Sequence, residues 1–353
     1  MSKNREIEIL LKILKGDAGL QEDPESFDAG LLIRWAEVHK VVYPLLTFAR
    51  KYRNLFTREN ILRLENHCLQ TARRSLSQLS ELKRIAAALQ ENKIDFAVIK
   101  GPQLSRMLYG REALKESVDL DIMLAHDSSQ AETHELLTRL GYTWSNLAAC
   151  RSGFTKRIFI IAKREVQYIS PATRSHIDLH IRPGANTYLT ARLFRDFFNA
   201  FEDFDLEGVR VPVPPLEKYF AYLCYHGSLH QFSRLAWLLD IRAFLQTRYH
   251  ALDFQKVLAI ARSWRAERSV FIAMYLLQDY FGDEVPASLT SPPKHAGRTA
   301  FLASQCRELL DKDEKYAFSL HGRFGKLIYM MVLIKGLAGK IDLLFGILLR
   351  MVI

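Results

Sequence analysis

The stretch from Val118 to Leu124 places two acids inside an otherwise apolar run of residues. Side chains two residues apart on a β-strand point to the same face. Asp119 and Asp121 are therefore expected side by side, while their apolar neighbours face the core. Two carboxylates this close repel each other, and their burial is unfavourable without a compensating positive charge. Because Mg²⁺ prefers carboxylate oxygens, the pattern predicts a metal-binding strand. A solvated strand end is the alternative interpretation.

Two other segments extend this pattern. Residues 175–181 alternate apolar and polar positions around a third acid, Asp178. Upstream, the apolar run 95–99 ends at Lys100 and Gly101, and a segment with helical spacing follows. A glycine turn before a helix lets the backbone approach a phosphate group closely. Together the segments predict three carboxylates beside a phosphate-binding turn.

The order of these motifs resembles the uncharacterised nucleotidyltransferase family of the polymerase-β-like superfamily. The matching residues are Ile99-Lys100-Gly101-x-x-Leu104, Tyr109, Asp119-x-Asp121, Gly141-Tyr142, Ile177-Asp178-Leu179-His180, His226, His230, Arg234-Leu235, Trp237 and Asp240-Ile241. The resemblance implies an α+β fold, in which a small mixed β-sheet is flanked by N- and C-terminal helical regions. It also implies transfer of a nucleoside monophosphate from an NTP, such as ATP, to a hydroxyl-bearing acceptor with release of pyrophosphate.

The resemblance also assigns roles to individual residues. It makes Asp119, Asp121 and Asp178 the catalytic residues and the ligands of Mg²⁺ or Mn²⁺, with Asp178 as general base or as an orienting group near the metal. The residues expected to contact the nucleotide are Lys100, Gly101, Lys115 and Arg234. The acceptor that it implies is a small molecule, a sugar or a peptide, in preference to nucleic acid.

Two positions depart from the family pattern. Lys115 stands where the family usually has an arginine, and Pro102 follows the turn glycine in place of a glycine or serine. Both departures concern residues that would bind the triphosphate. A non-catalytic nucleotide-binding or scaffold protein of the same fold is therefore the alternative function.

Composition and charge narrow the class of protein. The chain is 49% hydrophobic and 25% charged, which is typical of a globular protein and argues against extensive disorder. Its formal net charge of +10 suits an anionic partner, and simple solubility explains it equally well.

The four cysteines lie far apart without a C-x-x-C pair, and no third ligand accompanies His226 and His230. The sequence therefore predicts neither a zinc site nor a disulfide framework. With no secretory signal pattern at its start, it predicts a cytoplasmic location.

The apolar and turn-forming residues divide the chain into four parts. The predicted parts are an N-terminal helical region at 1–92, a nucleotidyltransferase-like core at 93–185, a helical domain at 186–284, and a linker with C-terminal apolar helices at 285–353. Residues 327–353 are mostly apolar but contain charges, and their uninterrupted apolar runs are too short to span a bilayer. Two interpretations remain for them. One is peripheral contact with the inner face of a membrane, and the other is a helical hairpin turned at 336–339 and packed on the body.

Overall fold

The computed structural model describes residues 5–16, 27–111, 114–126, 129–145, 165–180, 200–312 and 319–334, with positions 340, 341, 343 and 344. The chain forms two compact units. The helical unit contains residues 1–72, 114–116 and 220–334, and the sheet unit contains residues 73–113, 117–219 and 335–353. The fold is the α+β class that was predicted, since one unit is built from helices and the other holds a small mixed sheet.

The helices follow the apolar periodicity of the sequence. In chain order they are α1 (Arg5–Lys15), α2 (Ala29–His39), α3 (Val42–Lys51), α4 (Arg58–Glu91), α5 (Pro102–Tyr109), α6 (Gln130–Arg139), α7 (Leu216–Leu229), α8 (Leu235–Arg248), α9 (Phe254–Ser263), α10 (Glu267–Phe281), α11 (Pro293–Arg307) and α12 (Leu320–Leu333). Short 3₁₀ turns occur at Arg53–Leu55, Tyr249–Ala251 and Ala287–Leu289. The division between the units falls within α4 and α7. Helix α10 buries most of its side chains and forms the centre of the helical unit.

The sheet unit contains seven strands in its described residues. They are β1 (Phe96–Lys100), β2 (Leu120–Leu124), β3 (Thr143–Trp144), β4 (Glu165–Ile169), β5 (His176–His180), β6 (Glu202–Leu206) and β7 (Val209–Val213). The first five form one sheet in the order β1-β2-β5-β4-β3. Strands β2 and β5 are parallel, and the other neighbours are antiparallel. The predicted strands at 95–99, 118–124 and 175–181 correspond to β1, β2 and β5. The sequence also predicts two further strands, near 157–162 and 165–170. The second corresponds to β4, and the first lies outside the described residues.

Residues 202–213 differ from the helical prediction for 186–284. They form a two-stranded hairpin, in which Leu206 pairs with Val209 across the two-residue loop Glu207-Gly208. Both loop residues have positive φ, 53° and 84°, as the tight turns that suit the twist of a hairpin require. Val211 and Val213 are buried and alternate with Arg210 and Pro212, which is the period of a strand. The other boundaries of the four-part division stay a prediction.

The C-terminal helices belong to the region that was predicted as linker and apolar helices. Helix α12 ends at Leu333, and the predicted turn at 336–339 lies outside the described residues. Among the residues that the structure describes, no helix is both long and apolar enough to cross a membrane.

The end of α7 depends on a glycine in contact with an aromatic ring. Phe232 is buried and has a left-handed backbone with φ of 45°. Its ring lies so close to Gly227 that a Cβ atom at this position would overlap it. The ring fills the space of the missing side chain, and the buried surroundings limit its freedom to move away.

Replacing Gly227 by alanine should therefore destabilise the helical unit. We expect Gly227→Ala to lower the free energy of unfolding by roughly 1–3 kcal/mol, the usual cost of overpacking a filled core, as measured by urea denaturation. Gly297 in α11 is the matched control because a Cβ atom there meets nothing within 4 Å, so Gly297→Ala should raise stability by about 0.5–1 kcal/mol. Equal stability of the two variants would contradict the close packing of Phe232.

A buried histidine makes the helical unit sensitive to acid. His39 is fully buried, and its Nε2 donates to the carbonyl oxygen of Leu310 at 2.9 Å. Burial disfavours the charged imidazolium and lowers the pKa of His39 to about 4, although the Leu310 hydrogen bond opposes the shift. The unfolded chain, with a histidine pKa of about 6.5, therefore takes up a proton that the folded protein does not take up until about pH 4.

The free energy of unfolding should consequently fall as the pH drops from 6.5 to 4, by about 3 kcal/mol from this group. Urea denaturation across that range measures the slope. His39→Gln should remove this part of the pH dependence, whereas His250→Gln, which changes an exposed histidine, should leave it intact. The assignment is wrong if the slope survives in His39→Gln.

Candidate active site on the central sheet

An irregularity in β1 aligns the first two charged residues of the site. Val98 pairs with Ile122 and Lys100 pairs with Asp121, so Ile99 is an extra residue in β1. Such a β-bulge changes which side chains lie opposite each other. Without it, Ile99 would oppose Asp121. The bulge instead places Lys100 directly across from the acid, and its Nζ lies 3.2 Å from Asp121 Oδ1.

A side chain from outside the sheet stabilises this bulge. The hydroxyl of Tyr219 donates to the carbonyl oxygen of Ile99 at 2.7 Å, and the hydrogen bond is buried. A bulge leaves the extra residue's backbone outside the regular ladder, and a buried carbonyl needs a donor. Tyr219 provides one. The alignment of Lys100 with Asp121 is thus supported by a residue more than a hundred positions away in the chain.

Parallel pairing brings in the third acid. Asp121 of β2 and Asp178 of β5 are direct partners in the register, so their side chains leave the same face of the sheet. Asp119 lies just before β2 and is partly exposed. Its negative charge and that of Asp121 both act on Asp178. The structure therefore brings together the three acids that the sequence singled out.

Asp121 is a buried anion held by two cationic groups. It is only 4% exposed, and the Nε2 of His180 donates to the Oδ1 that Lys100 also contacts, at 2.8 Å. Burial alone would raise the pKa of Asp121, but the charge of Lys100 and the hydrogen bond of His180 lower it to about 2. The carboxylate stays ionised because both partners compensate its desolvation.

The pKa values of the two neighbours of Asp121, His180 and Asp178, are both raised. Burial acts to lower the pKa of His180, but its bond to Asp121 raises it further, so the pKa lies above that of a free histidine. For Asp178, burial first and then the charges of Asp119 and Asp121 raise the pKa to about 7. One acid of the pair is thus a fixed anion, and its neighbour gains or loses a proton near neutral pH.

The predicted phosphate-binding turn follows β1 directly. Gly101 has a φ of 135°, a backbone conformation that residues with a side chain rarely adopt. A Cβ atom there would also lie 2.9 Å from the side-chain oxygen of Gln103. Pro102 occupies the first turn of α5. Proline suits this position, because the first amides of a helix have no partner inside it. The remaining free amides and the helix dipole make this end favourable for an anion.

The other two predicted nucleotide contacts lie in the helical unit. Lys115 forms a buried ion pair with Asp240, with 2.9 Å between Nζ and Oδ2. Arg234 precedes α8, and its guanidinium lies 5.7 Å from the ring centroid of Trp237. These contacts give both residues a structural role within their unit, and their contact with a nucleotide stays a prediction.

Two polar residues beside the acids were not singled out in the sequence. In the register of β4 and β5, Gln167 is the partner of Asp178 and Glu165 is the partner of His180. The negative charge of Glu165 raises the pKa of both Asp178 and His180. The signal was present, since Glu165 and Gln167 are two apart in a predicted strand, but which strand neighbours β5 was not evident from the sequence.

The acids suit a hard cation in chemistry and in charge. Carboxylate oxygens are the donors that Mg²⁺ takes, and the proton held by Asp178 near neutral pH indicates an excess of negative charge that a cation would offset. At Asp121, Lys100 and His180 already supply positive charge. Within the described ranges, no three His, Cys, Asp or Glu side chains are arranged to hold a metal ion together.

The comparisons with known proteins agree with the resemblance noted in the sequence. The model of a family described as uncharacterised nucleotidyltransferase matches residues 25–282. None of the curated proteins compared with the chain matches it. The matched range includes β1, β2 and β5, which carry Lys100, Asp121 and Asp178.

Removing the charge of Asp121 should change the titration of its neighbours. We expect Asp121→Asn to lower the pKa of Asp178, which loses a negative neighbour, and the pKa of His180, which loses its anionic acceptor. NMR titration of the labelled carboxyl and imidazole groups measures both. Asp95→Asn, at an exposed acid whose Oδ2 lies 3.7 Å from the Nε2 of His126, is the control and should change neither. Unchanged pKa values in Asp121→Asn would contradict the cluster.

Proposed function

Because the chain belongs to the uncharacterised nucleotidyltransferase family, whose model matches more than half of its length, we propose that it is a metal-dependent nucleotidyltransferase. The reaction transfers a nucleoside monophosphate from an NTP to a hydroxyl-bearing acceptor. A bond forms between the acceptor oxygen and the α-phosphorus, and the bond from that phosphorus to the β-phosphate oxygen breaks. Pyrophosphate leaves, and the acceptor proton passes to a base.

The observation that carries this proposal is the direct pairing of Asp121 and Asp178 on parallel strands. Burial and the two neighbouring acids raise the pKa of Asp178 to about 7. A base is most effective when its pKa lies near the working pH. Asp178 is therefore suited to accept the proton of the acceptor hydroxyl, while Asp121 stays charged beside it.

The turn at Gly101 supports binding of the triphosphate. The amino end of α5 offers backbone amides and the positive end of a helix dipole. Lys100 precedes the glycine and carries the positive charge nearest in sequence to this turn. A phosphate at the turn would be stabilised by backbone groups that need no rearrangement.

A divalent cation, Mg²⁺ or Mn²⁺, would be held by Asp119, Asp121 and Asp178. When bound it supplies positive charge that polarises the phosphoryl oxygens and stabilises the charge that develops in the reaction. The chain's own contribution is to hold one carboxylate ionised and to keep a second near its titration point. Both properties follow from the pairing across β1, β2 and β5.

For the nucleotide and the acceptor we propose only classes of molecule. The nucleotide is an NTP such as ATP, and the acceptor is a small molecule, a sugar or a peptide in preference to nucleic acid. Lys115 and Arg234 are proposed as further nucleotide contacts.

The cysteines Cys68, Cys224 and Cys306 are free thiols. This suits a reducing compartment, and we place the protein in the cytoplasm.

One observation favours a second candidate function. Lys100 and His180 already satisfy the charge of Asp121, so this acid is stabilised without a metal. A protein that binds nucleotides at the Gly101 turn and serves as a scaffold would need no more than this arrangement. The two functions differ in whether the α-phosphate is transferred.

Label transfer tests the reaction. The protein is incubated with each NTP labelled at the α-phosphate, with Mg²⁺ or Mn²⁺, and with a cell extract as the source of acceptors. We expect one extract component to gain label, and no label from the same nucleotide labelled at the γ-phosphate. Asp178→Asn should reduce the transfer about 10²- to 10⁴-fold, the usual contribution of a positioned base.

Asp95→Asn again serves as the control and should retain full transfer. Isothermal titration with the nucleotide, with and without metal, follows binding in the same variants. Nucleotide binding that needs no metal and is not accompanied by label transfer would favour the scaffold function, and transfer that survives Asp178→Asn would exclude Asp178 as the base.

A further inference from the structure

The side-chain amide of Gln103 is buried without a hydrogen-bond partner. Gln103 is the second residue of α5 and is fully buried. Within the described residues, neither its Oε1 nor its Nε2 has a hydrogen-bond partner. An amide group offers two N–H donors and an acceptor oxygen, and folded proteins rarely bury such groups unpaired because this costs free energy. The position of this amide therefore needs a reason other than the stability of the fold.

The Gln103 amide is directed at the turn between β1 and α5. A Cβ atom at Gly101 would lie 2.9 Å from the Oε1 of Gln103 and 3.9 Å from its Cδ, so the carbonyl bond of the amide points toward this residue. The same Cβ atom would lie 3.5 Å from a methyl group of Leu120, the residue before Asp121. Gly101 thus keeps this side of the amide clear of a side chain, at the turn where we propose that phosphate binds.

The amide is free to present either of its polar atoms to the turn. A half-turn about the bond from Cγ to Cδ exchanges Oε1 and Nε2, which are similar in size, and this torsion has only a broad preference. No hydrogen bond to either atom has to be broken. In one orientation an oxygen lies beside the turn, and in the other an N–H donor does. Because the amide is buried, a phosphate reaches it through a small movement of the turn, which the conformational freedom of Gly101 permits.

We propose that the Nε2 of Gln103 donates a hydrogen bond to a phosphate oxygen of a nucleotide bound at the Gly101 turn. The backbone N–H groups of Gln103 and Leu104 lie in the first turn of α5, where a helix provides no acceptor for them. The side chain therefore adds a donor at the end of the helix that already offers backbone donors. The helix dipole favours a negative ligand here, which selects phosphate over the nucleobase. The inference rests on the nucleotide binding that both functions proposed above require.

Isothermal titration of the full-length protein with ATP and Mg²⁺ tests this contact. Gln103→Met keeps the length of the side chain and removes its N–H donors. We expect this variant to bind ATP at least about tenfold more weakly, which is the effect of losing a hydrogen bond to a charged acceptor. Inorganic triphosphate, measured as a competitor of ATP, should be weakened by the same factor because the contact is to phosphate.

Three results of this titration would overturn the inference. The first is ATP binding that is unchanged in Gln103→Met. The second is weaker binding of ATP with unchanged binding of triphosphate, which would assign the contact to the base or the ribose. The third is a triphosphate that does not displace ATP from the wild type, because the turn would then not be a phosphate site.

Gln78 on α4 provides a matched control. It is 2% exposed, and both of its amide atoms are also buried without a partner. Gln78→Met removes the same chemical group from the same unit of the chain, and this variant should bind ATP like the wild type. Without nucleotide, both variants should be at least as stable as the wild type in urea denaturation, because each loses buried polar atoms that have no partner. Lower stability of Gln103→Met with unchanged ATP binding would give the amide a structural role and contradict the inference.

The side-chain amide resonances report the contact in the wild type itself. In ¹⁵N-labelled protein, the side-chain resonances that disappear in Gln103→Met and in Gln78→Met belong to Gln103 and Gln78. Addition of ATP and Mg²⁺ should shift the Gln103 protons downfield, as a hydrogen bond to phosphate does, and should leave those of Gln78 in place. Gln103 resonances that do not move at saturating ATP would overturn the inference.

Failure of this inference is distinguishable from failure of the proposed function. If the wild type binds ATP and transfers label, and Gln103→Met does both with unchanged affinity, only the role of Gln103 is wrong. If the wild type binds no nucleotide, the proposed function and the role of Gln103 are both wrong.

Discussion

The ion pair between Lys100 and Asp121 is the interaction on which the site depends. A carboxylate that is 4% exposed is strongly disfavoured unless opposite charge and hydrogen bonds replace its hydration. Lys100 reaches it only because the bulge at Ile99 shifts the register of β1, and Tyr219 stabilises that bulge. A chain of backbone pairing, a buried hydrogen bond and an ion pair therefore sets the charge of Asp121.

The fixed charge of Asp121 in turn determines what Asp178 can do. Because Asp121 stays ionised, it repels a second negative charge on its strand neighbour, and burial adds to the effect. Two chemically identical side chains thus acquire opposite protonation preferences near neutral pH. Their separation comes from one difference in surroundings: Asp121 receives both Lys100 and His180, whereas the negative charges of Asp119 and Glu165 add to that of Asp121 at Asp178.

The strands and the convergence of the acids were predictable from the sequence, because alternation at 118–124 and 175–181 fixes which side chains share a face. The source of the positive charge that stabilises Asp121 was not predictable. The contacts of Asp121 with Lys100 and His180 did not follow from the sequence, because a bulge that moves Lys100 by one position leaves no local signal. The hairpin at 202–213 was missed although its alternation of valines is a strand signal, because Pro212, Pro214 and Pro215 suggested the entry into a helical domain, whereas Pro212 lies within β7.

Under the proposed reaction, the position of Lys100 also relates substrate binding to the acids. The residue directly precedes the Gly101 turn, and its ammonium group lies 3.2 Å from the Oδ1 of the buried Asp121. An anion at the turn would compete with Asp121 for the same positive charge. If Lys100 turned toward a phosphate, the Oδ1 of Asp121 would keep His180 as a partner but would lose one of its two positive charges, which a divalent cation could replace. Within that proposal, the binding of nucleotide and the binding of metal would be linked through the charge of Lys100.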